Sequence, residues 1–504
     1  MVIGNMFKKR ANGILLHISS IPTDYGIGDV GPAAHEFVDF LNRAGQNYWQ
    51  ILPLNYTMSK TNFSPYNCFS AFAGNPLLIS PDLMYRDGLL RKEELEKKPV
   101  FPVGRVDYRK VSSWKSKLFD KAFARSGGLS LLDDYDRFAR ENTFWLEDFA
   151  TFLALKRHFG GRIWSKWPSE LRDRKKRALA SIKKQLQKKI DRECFLQYIL
   201  FKQYSSLRDK CSENAITIIG DLPIYVAGDS ADVWAHPNLF KLDRSRNPKF
   251  VAGVPPDYFS RTGQLWGNPI YDWQQLSRTK YDWWMRRVEH NLKLYDLIRI
   301  DHFRGLVAYW QVPAGEKTAV RGKWIQAPTK TFFSTLFRRF PSAAIFAEDL
   351  GYITADVREA ISEYGLAGMR VLQFGFDGKS VDNPHYPHNH VENCLVYTGT
   401  HDNNTTRGWF EKEATSQQKK CLSDYMGHKI SAKTIARDMI RMTMASVAKV
   451  AIIPMQDLLD LGVEARMNRP AKNKGNWLWR MQKGQATTAL AKELKRKVET
   501  YGRL

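Results

Sequence analysis

The chain has 504 residues and a formal net charge of +25, with 43% hydrophobic and 26% charged residues. This balance is ordinary for a globular protein and argues against wholesale disorder. No apolar run approaches the roughly 18 residues of a membrane-spanning helix, so we expect no membrane partner.

Two further features indicate the compartment. A short apolar stretch near the N-terminus is broken by His17 and no small-residue cleavage site follows it, so a secretory signal is not predicted. The five cysteines are odd in number and scattered, without metal-type pairing, which predicts free thiols in a reducing compartment. We therefore expect a cytoplasmic protein.

Eight β-rich apolar runs follow one another along the chain. They are residues 13–19, 48–54, 215–226, 295–301, 343–350, 369–375, 394–402 and 447–457. Helical periodicity separates most of them, for example over residues 33–45 and 330–340. Near-continuous apolar strands that alternate with helices are typical of a parallel sheet covered on both faces. Eight of them predict an α/β fold of the (β/α)₈ (TIM) barrel type.

The gaps between these runs predict two insertions on a single catalytic domain spanning residues 1–504. Residues 76–210 are helix-rich and are interpreted as a helical insertion subdomain. Residues 227–290 are dense in Trp, Tyr, Pro and Gly and are interpreted as a loop insertion over the active-site face. For the assembled protein we expect a monomer or a weak homo-oligomer.

Much of the excess positive charge lies in residues 172–189. Leu179, Ile182, Leu186 and Ile190 recur there at helical spacing, which predicts an amphipathic helix with a solvated basic face. Strong basicity also fits a nucleic-acid partner. No helix-turn-helix, zinc or RNA-binding signature accompanies it, so nucleic-acid binding is not expected.

Four acidic residues lie at or just after the ends of predicted strands: Asp221, Asp301, Glu348 and Asp402. A single acidic residue in this position often caps the next helix. Four of them at equivalent positions instead favour a carboxylate-lined pocket, because a barrel builds its active site at the carboxyl ends of its strands.

Cleavage of a glycosidic bond needs such a set, with one carboxylate to attack C1 and one protonated carboxyl to donate to the leaving oxygen. Arg299 shares a strand face with Asp301, so we expect it to lower the pKa of Asp301 and keep that group ionised. Glu348 follows an apolar run without a basic neighbour, which predicts a raised pKa and a general acid. Asp349 is assigned to structure. For a retaining pair, we expect the two carboxyl groups to be about 5–5.5 Å apart.

Histidines accompany two of these carboxylates. His302 and His401 each fit a buried core position, and in a sugar site each could donate to a hydroxyl group. A metal site is the competing interpretation of Asp/His clusters. The sequence has no HExxH motif, no histidine pair at ligand spacing and no EF-hand loop, so we expect neither a metal nor a cofactor.

The segments RIDHFRG (299–305), FAEDLG (346–351) and GTHDNNTTRGW (399–409) together resemble the 4-α-glucanotransferase family (amylomaltase, or disproportionating enzyme) of the α-amylase clan. The resemblance extends over nearly the whole chain in family order, and TGQLWGNP (262–269) separates it from ordinary α-amylases. It implies a retaining enzyme that transfers a segment of a (1→4)-α-D-glucan to the 4-OH of an acceptor glucan or glucose.

The resemblance also implies roles for individual residues. Asp301 is similar to the nucleophile, Glu348 to the general acid/base, and Asp402 to a third carboxylate that stabilises the sugar. The implied substrate contacts are Ser64, Tyr66, Asp221, Asp257, Trp266, Arg299, His401 and Asn468.

Two alternatives to a transferase remain at this point. An α-glucan hydrolase of the same clan shares the covalent intermediate, and only the second step distinguishes water from a sugar acceptor. A non-catalytic glycan- or nucleic-acid-binding barrel would be expected to lose a carboxylate, and none of the four is lost here.

Overall fold

The computed structural model describes residues 7–57, 62–129, 132–256, 260–378, 380–470, 472 and 474–504. Within these residues it contains twelve strands. They are β1 (Ala11–Leu15), β2 (Tyr48–Gln50), β3 (Thr217–Leu222), β4 (Phe250–Val254), β5 (Gln264–Pro269), β6 (Leu297–Ile300), β7 (Ala308–Pro313), β8 (Lys323–Gln326), β9 (Ile345–Ala347), β10 (Gly368–Val371), β11 (Cys394–Tyr397) and β12 (Val450–Pro454).

Eighteen α-helices lie in the same described residues. They are α1 (Pro32–Arg43), α2 (Pro81–Arg86), α3 (Lys92–Glu96), α4 (Tyr108–Arg125), α5 (Tyr135–Glu141), α6 (Leu146–His158), α7 (Ser169–Arg172), α8 (Lys176–Glu213), α9 (Ala231–Ala235), α10 (Trp273–Arg278), α11 (Asp282–Leu294), α12 (Thr329–Arg339), α13 (Ala355–Glu363), α14 (Thr406–Lys412), α15 (Ser416–Met426), α16 (Ile435–Ala445), α17 (Met455–Leu458) and α18 (Thr488–Thr500). None of them is long and apolar enough to cross a membrane.

Eight strands form a parallel sheet in the spatial order β10, β11, β12, β1, β2, β3, β6, β9. A parallel bridge between Phe346 and Ala367, with the Ala347 amide donating to the Ala367 carbonyl at 2.9 Å, connects β9 to the segment before β10. This bridge brings the two edges of the sheet together into a near-closed barrel. The predicted (β/α)₈ architecture is confirmed.

All eight predicted apolar runs overlap a barrel strand. These strands are buried nearly throughout, as β1, β11 and β12 show most clearly, because helices cover the outer face and packed side chains fill the interior. Close approach also restricts the sequence. A Cβ atom on Gly220 would lie 2.0 Å from the Tyr295 ring, so β3 needs glycine immediately before Asp221.

The two helices predicted between strands are present as α1 and α12. Helix α1 begins with Pro32, whose fixed φ and missing N–H suit a first helical turn. Its buried side chains Ala34, Phe37, Val38 and Leu41 recur every three or four residues and form the face that packs on the barrel.

Helices α2 to α8 lie between residues 81 and 213, which agrees with the helix-rich composition predicted for residues 76–210; the subdomain boundaries stay a prediction. The basic segment does form a helix, with Leu186 and Ile190 buried and Lys184 and Lys188 exposed. Its predicted start at residue 172 is four residues too early. Arg172 ends α7, and Arg174 has a φ of 54° that interrupts the helical path before α8.

A second, antiparallel sheet in the order β5, β4, β7, β8 was not predicted. Residues 227–290, described from composition as loop-like, contain its first two strands, and the other two follow β6. In the pairing across β4, Gly253 lies opposite both Leu265 and Trp310. Strand β5 has one buried residue of six and β8 has none, so continuous apolar runs do not mark them.

Candidate active site

The four predicted carboxylates are carried at one end of the barrel. Asp221 is in β3, and the Asp301 amide donates to Leu222 O at 3.0 Å, directly after β6. Glu348 follows β9 and its amide donates to Ile300 O at 3.0 Å. Asp402 follows β11. Because the carboxyl ends of parallel strands meet at one mouth, the predicted clustering is reproduced.

Arg299 lies at the centre of this cluster and is 3% exposed. It is the parallel partner of Asp221 across β3 and β6, so the two side chains share a face. Nη1 donates to both Asp221 oxygens, at 2.8 and 2.6 Å, and lies 2.9 Å from Asp301 Oδ1. Nη2 lies 4.0 Å from Glu348 Oε2. One guanidinium therefore contacts three carboxyl groups.

Burial and the neighbouring opposite charges shift the pKa values of these groups in opposite directions. Burial acts to lower the pKa of Arg299, but Asp221 and Asp301 reverse this and raise it well above its usual range. Burial also raises the pKa of Asp301 well above its usual range, and the contact with Arg299 offsets only part of that shift. The expectation that Arg299 leaves Asp301 with a lowered pKa is therefore wrong.

Burial raises the pKa of Glu348, as predicted. The premise that it has no basic neighbour is wrong, since Arg299 acts on it in the opposite direction. The backbone holds its carboxyl group, because the His302 amide donates to Oε2 at 2.8 Å and the Leu350 amide donates to Oε1 at 2.7 Å. Both oxygens of Glu348 are thus oriented by rigid backbone donors.

The neighbouring acid, Asp349, is oriented elsewhere. It accepts a hydrogen bond from the Met369 amide at 2.5 Å and forms an ion pair with Arg370 at 3.0 Å. This agrees with its assignment to structure.

Tyr66, Asp221 and His401 form one wall of the site. The Tyr66 hydroxyl donates to Asp221 Oδ2 at 2.7 Å and lies 2.8 Å from His401 Nε2. Burial raises the pKa of Tyr66 well above its usual range and lowers that of His401. The phenol is therefore neutral. Since its own proton goes to Asp221, Nε2 of His401 carries the hydrogen of the second bond.

The Tyr66 ring is held in place from several sides. It stacks on the His401 ring, with centroids 5.2 Å apart and planes 13° apart, and lies 5.7 Å from Trp477. Ser64 Oγ accepts a hydrogen bond from the Tyr66 amide at 3.3 Å, so the Ser64 hydroxyl fixes the turn that presents Tyr66. Trp477 was not identified from the sequence.

Asp402 is the most accessible of the four carboxylates, with 44% of its side chain exposed. Asn468 Nδ2 donates to its Oδ1 at 2.5 Å, and the Asn468 amide donates to His401 O at 3.1 Å. Arg466 donates to the carbonyl oxygens of Asp402 at 3.0 Å and Asn468 at 2.7 Å, and so links the two residues. It also forms an ion pair with Glu413 at 2.6 Å. Sequence reasoning missed Arg466, although it lies two residues before Asn468.

Trp266 and His302 form an aromatic edge of the site, with ring centroids 4.7 Å apart at an interplanar angle of 86°. Burial lowers the pKa of His302 to about 4, so its imidazole is neutral at neutral pH. Its buried Nε2 has no hydrogen-bond partner in the described part of the chain, which leaves a polar atom available to a ligand. The remaining predicted contact, Asp257, lies outside the described residues.

The fold and the site define a class of protein, namely a (β/α)₈-barrel enzyme with a carboxylate cluster at the carboxyl ends of its strands. The sequence model of the 4-alpha-glucanotransferase family matches residues 16–487, and the chain belongs to this family. The resemblance found in the sequence is thereby confirmed, together with the prediction that the chain is an enzyme that transfers glycosyl groups.

Individual members of the family are similar to this chain over nearly their whole length. The 4-alpha-glucanotransferase of Aquifex aeolicus is 45% identical over 494 residues, covering 98% of this chain and 99% of the relative. That of Thermus thermophilus is 43% identical over 504 residues, with coverages of 98% and 99%. The structure of the Streptococcus agalactiae amylomaltase in complex with acarbose has a TM-score of 0.93 and 39% identity, covering 98% of this chain and 100% of that one.

Proposed function

We propose that the enzyme transfers a segment of a (1→4)-α-D-glucan to the 4-OH of an acceptor glucan or glucose, by double displacement through a covalent glucanyl–Asp301 intermediate. One observation carries this mechanism: Asp301 and Glu348 both contact the same guanidinium, that of Arg299, at the mouth of the barrel. Two carboxyl groups beside one another are what a retaining glycosidic reaction requires.

In the first step, an Asp301 oxygen attacks C1 of the donor sugar while Glu348 gives its proton to the departing glycosidic oxygen. We assign the negative charge to Asp301, because its Oδ1 is 2.9 Å from the cationic Arg299 whereas Glu348 Oε2 is 4.0 Å away. The remaining proton then belongs to Glu348, whose pKa burial raises.

In the second step, Glu348 takes the proton of the acceptor 4-OH, the acceptor oxygen bonds to C1, and the bond from C1 to Asp301 breaks. Two inversions at C1 give overall retention of the α-configuration. The enzyme ends in its starting protonation state, with Asp301 ionised and Glu348 protonated.

The other predicted residues bind the sugar in this scheme. Asp402 accepts from sugar hydroxyls and is positioned by Asn468, while Tyr66 supplies a flat ring. The unpaired Nε2 of His302 donates to a hydroxyl group of the ligand. Asp221 has both oxygens on Arg299, and one also accepts from Tyr66, so its strongest structural role is to hold those two groups. Further proposed contacts are Ser64, Asp257, Trp266, Arg299, His401 and Asn468.

Incubation with maltotriose distinguishes transfer from the hydrolase alternative. We expect glucose together with a ladder of longer oligosaccharides, because a sugar outcompetes water for the covalent intermediate when the site is occupied by acceptor. The products are resolved by chromatography over time. Maltose and glucose without longer products would contradict the transferase proposal.

A Glu348→Gln variant tests the intermediate directly. With α-maltosyl fluoride as donor, fluoride leaves without acid assistance, so we expect the first step to proceed. The second step lacks its base, and a maltosyl adduct should accumulate on the peptide that contains Asp301. Mass spectrometry of a proteolytic digest detects it. The matched Glu348→Gln/Asp301→Asn double variant should give no adduct, and an adduct on any other residue would overturn the assignment of Asp301.

We further propose a cytoplasmic enzyme acting on soluble α-1,4-glucans, present as a monomer or weak homo-oligomer. The solvated face of α8 accounts for part of the positive charge without a nucleic-acid partner.

A further inference from the structure

The proposed reaction gives no role to one aromatic residue that follows the acid/base closely in the chain. Tyr352 is 69% exposed, the most exposed Tyr, Phe or Trp in the described part of the chain; Tyr85 and Tyr425 follow at 44% and 38%. Tyr352 lies four residues beyond Glu348. A single exposed aromatic ring is common on protein surfaces; Tyr352 differs in how its neighbours hold it and in following Glu348 closely along the chain.

The ring is fixed by its neighbours although it faces solvent. Arg304, itself only 7% exposed, donates from Nη1 to Tyr352 O at 3.0 Å and to Thr354 Oγ1 at 2.8 Å. Its guanidinium carbon lies 5.6 Å from the Tyr352 ring centroid and 3.9 Å from that of Trp324. Such cation–π contacts favour one ring placement. The buried cation thus supports Tyr352 from the protein side and leaves the remaining ring surface open.

The path of the chain limits how far Tyr352 can lie from the acid/base. The Leu350 amide donates to Glu348 Oε1 at 2.7 Å, so the segment that carries Tyr352 turns beside the acid/base. Four residues span at most about 14 Å, which is a distance of a few sugar units. Because Glu348 takes the proton of the acceptor 4-OH, a ring at this distance lies within reach of an acceptor chain.

We propose that Tyr352 is a binding platform for the acceptor glucan and contacts a sugar unit beyond the one that Glu348 deprotonates. Pyranose rings carry an apolar face of C–H groups that packs on an aromatic ring, and carbohydrate and other small-molecule sites use aromatic linings in this way. A ring already fixed by Arg304 binds with little loss of conformational freedom. The inference rests on the proposed role of Glu348.

The test measures acceptor binding separately from donor binding. With α-maltosyl fluoride as donor, no leaving sugar occupies the acceptor side, so the acceptor alone is varied. For Tyr352→Ala we expect the KM for maltotriose as acceptor to rise about tenfold, the effect of losing one aromatic contact. We expect kcat and the KM for glucose as acceptor to stay unchanged, because glucose fills only the unit next to Glu348.

Two variants serve as controls. Tyr352→Phe keeps the ring and should match the unmodified enzyme, and Tyr85→Ala removes another exposed tyrosine on α2 and should have no effect. An unchanged KM for maltotriose in Tyr352→Ala, or equal losses for glucose and maltotriose, would overturn the proposal. Failure of the Asp301 intermediate is recognised independently, since it removes the Glu348→Gln adduct and leaves these acceptor KM values as they are.

Discussion

Asp301→Asn is expected to fold normally and to lose transfer activity by on the order of 10⁴-fold or more, because an amide oxygen is a poor nucleophile toward C1. The substitution changes neither size nor shape, and its side-chain oxygen can still accept from Arg299 Nη1, which lies 2.9 Å from Oδ1. Glucose release from maltotriose measures the rate, and circular dichroism with thermal melting measures the fold.

The matched control is Asp209→Asn, the same chemical change on the exposed face of α8. It should leave the rate unchanged. Near-native transfer by a carefully repurified Asp301→Asn enzyme would refute the nucleophile assignment.

Arg299→Met is expected to abolish activity and also to lower the free energy of unfolding, by about 3–5 kcal/mol. The side chain of Asp221 is 0% exposed, and Arg299 donates a hydrogen bond to each of its oxygens. Removing the cation leaves this buried carboxylate without those bonds. A buried carboxylate without a counter-charge is unfavourable in the folded state. Chemical denaturation of the variant beside the unmodified enzyme measures the loss.

A double variant separates stability from catalysis. Arg299→Met/Asp221→Leu replaces the buried pair by apolar side chains, and such replacements are often neutral. We expect it to recover most of the lost stability without recovering activity, because Asp301 still lacks its cation. If Arg299→Met unfolds at the same denaturant concentration as the unmodified enzyme, the claim that Arg299 stabilises the fold by neutralising Asp221 is wrong.

Arg299 also explains why opposite pKa shifts for Asp301 and Glu348 could not be derived from their neighbours in sequence. The prediction placed the arginine beside Asp301 alone. In the folded protein its two terminal nitrogens contact different carboxyl groups, and burial raises the pKa of both acids. Burial therefore shifts both acids in the same direction, and their distances to Arg299 identify which of them carries the charge.

The sequence by itself determined the barrel and the set of catalytic candidates. Continuous apolar runs indicate buried strands. Because the strands are parallel, the acidic residue that follows each one lies at the same end of the barrel. This is why Asp221, Asp301, Glu348 and Asp402 were identified from local patterns alone. Long motifs around them were specific enough to indicate the family.

Only the tertiary structure decided which side chains contact one another. Tyr66 bonds to residues 155 and 335 positions away, Asp221 and His401, and no periodicity reports such contacts. The second, antiparallel sheet and the contacts of Arg466 depend likewise on how the segments between the barrel strands pack over the barrel. The physical reason is that hydrophobic periodicity encodes which face of an element is buried, whereas hydrogen-bond networks and pKa values arise from distances between elements that are set when those faces pack.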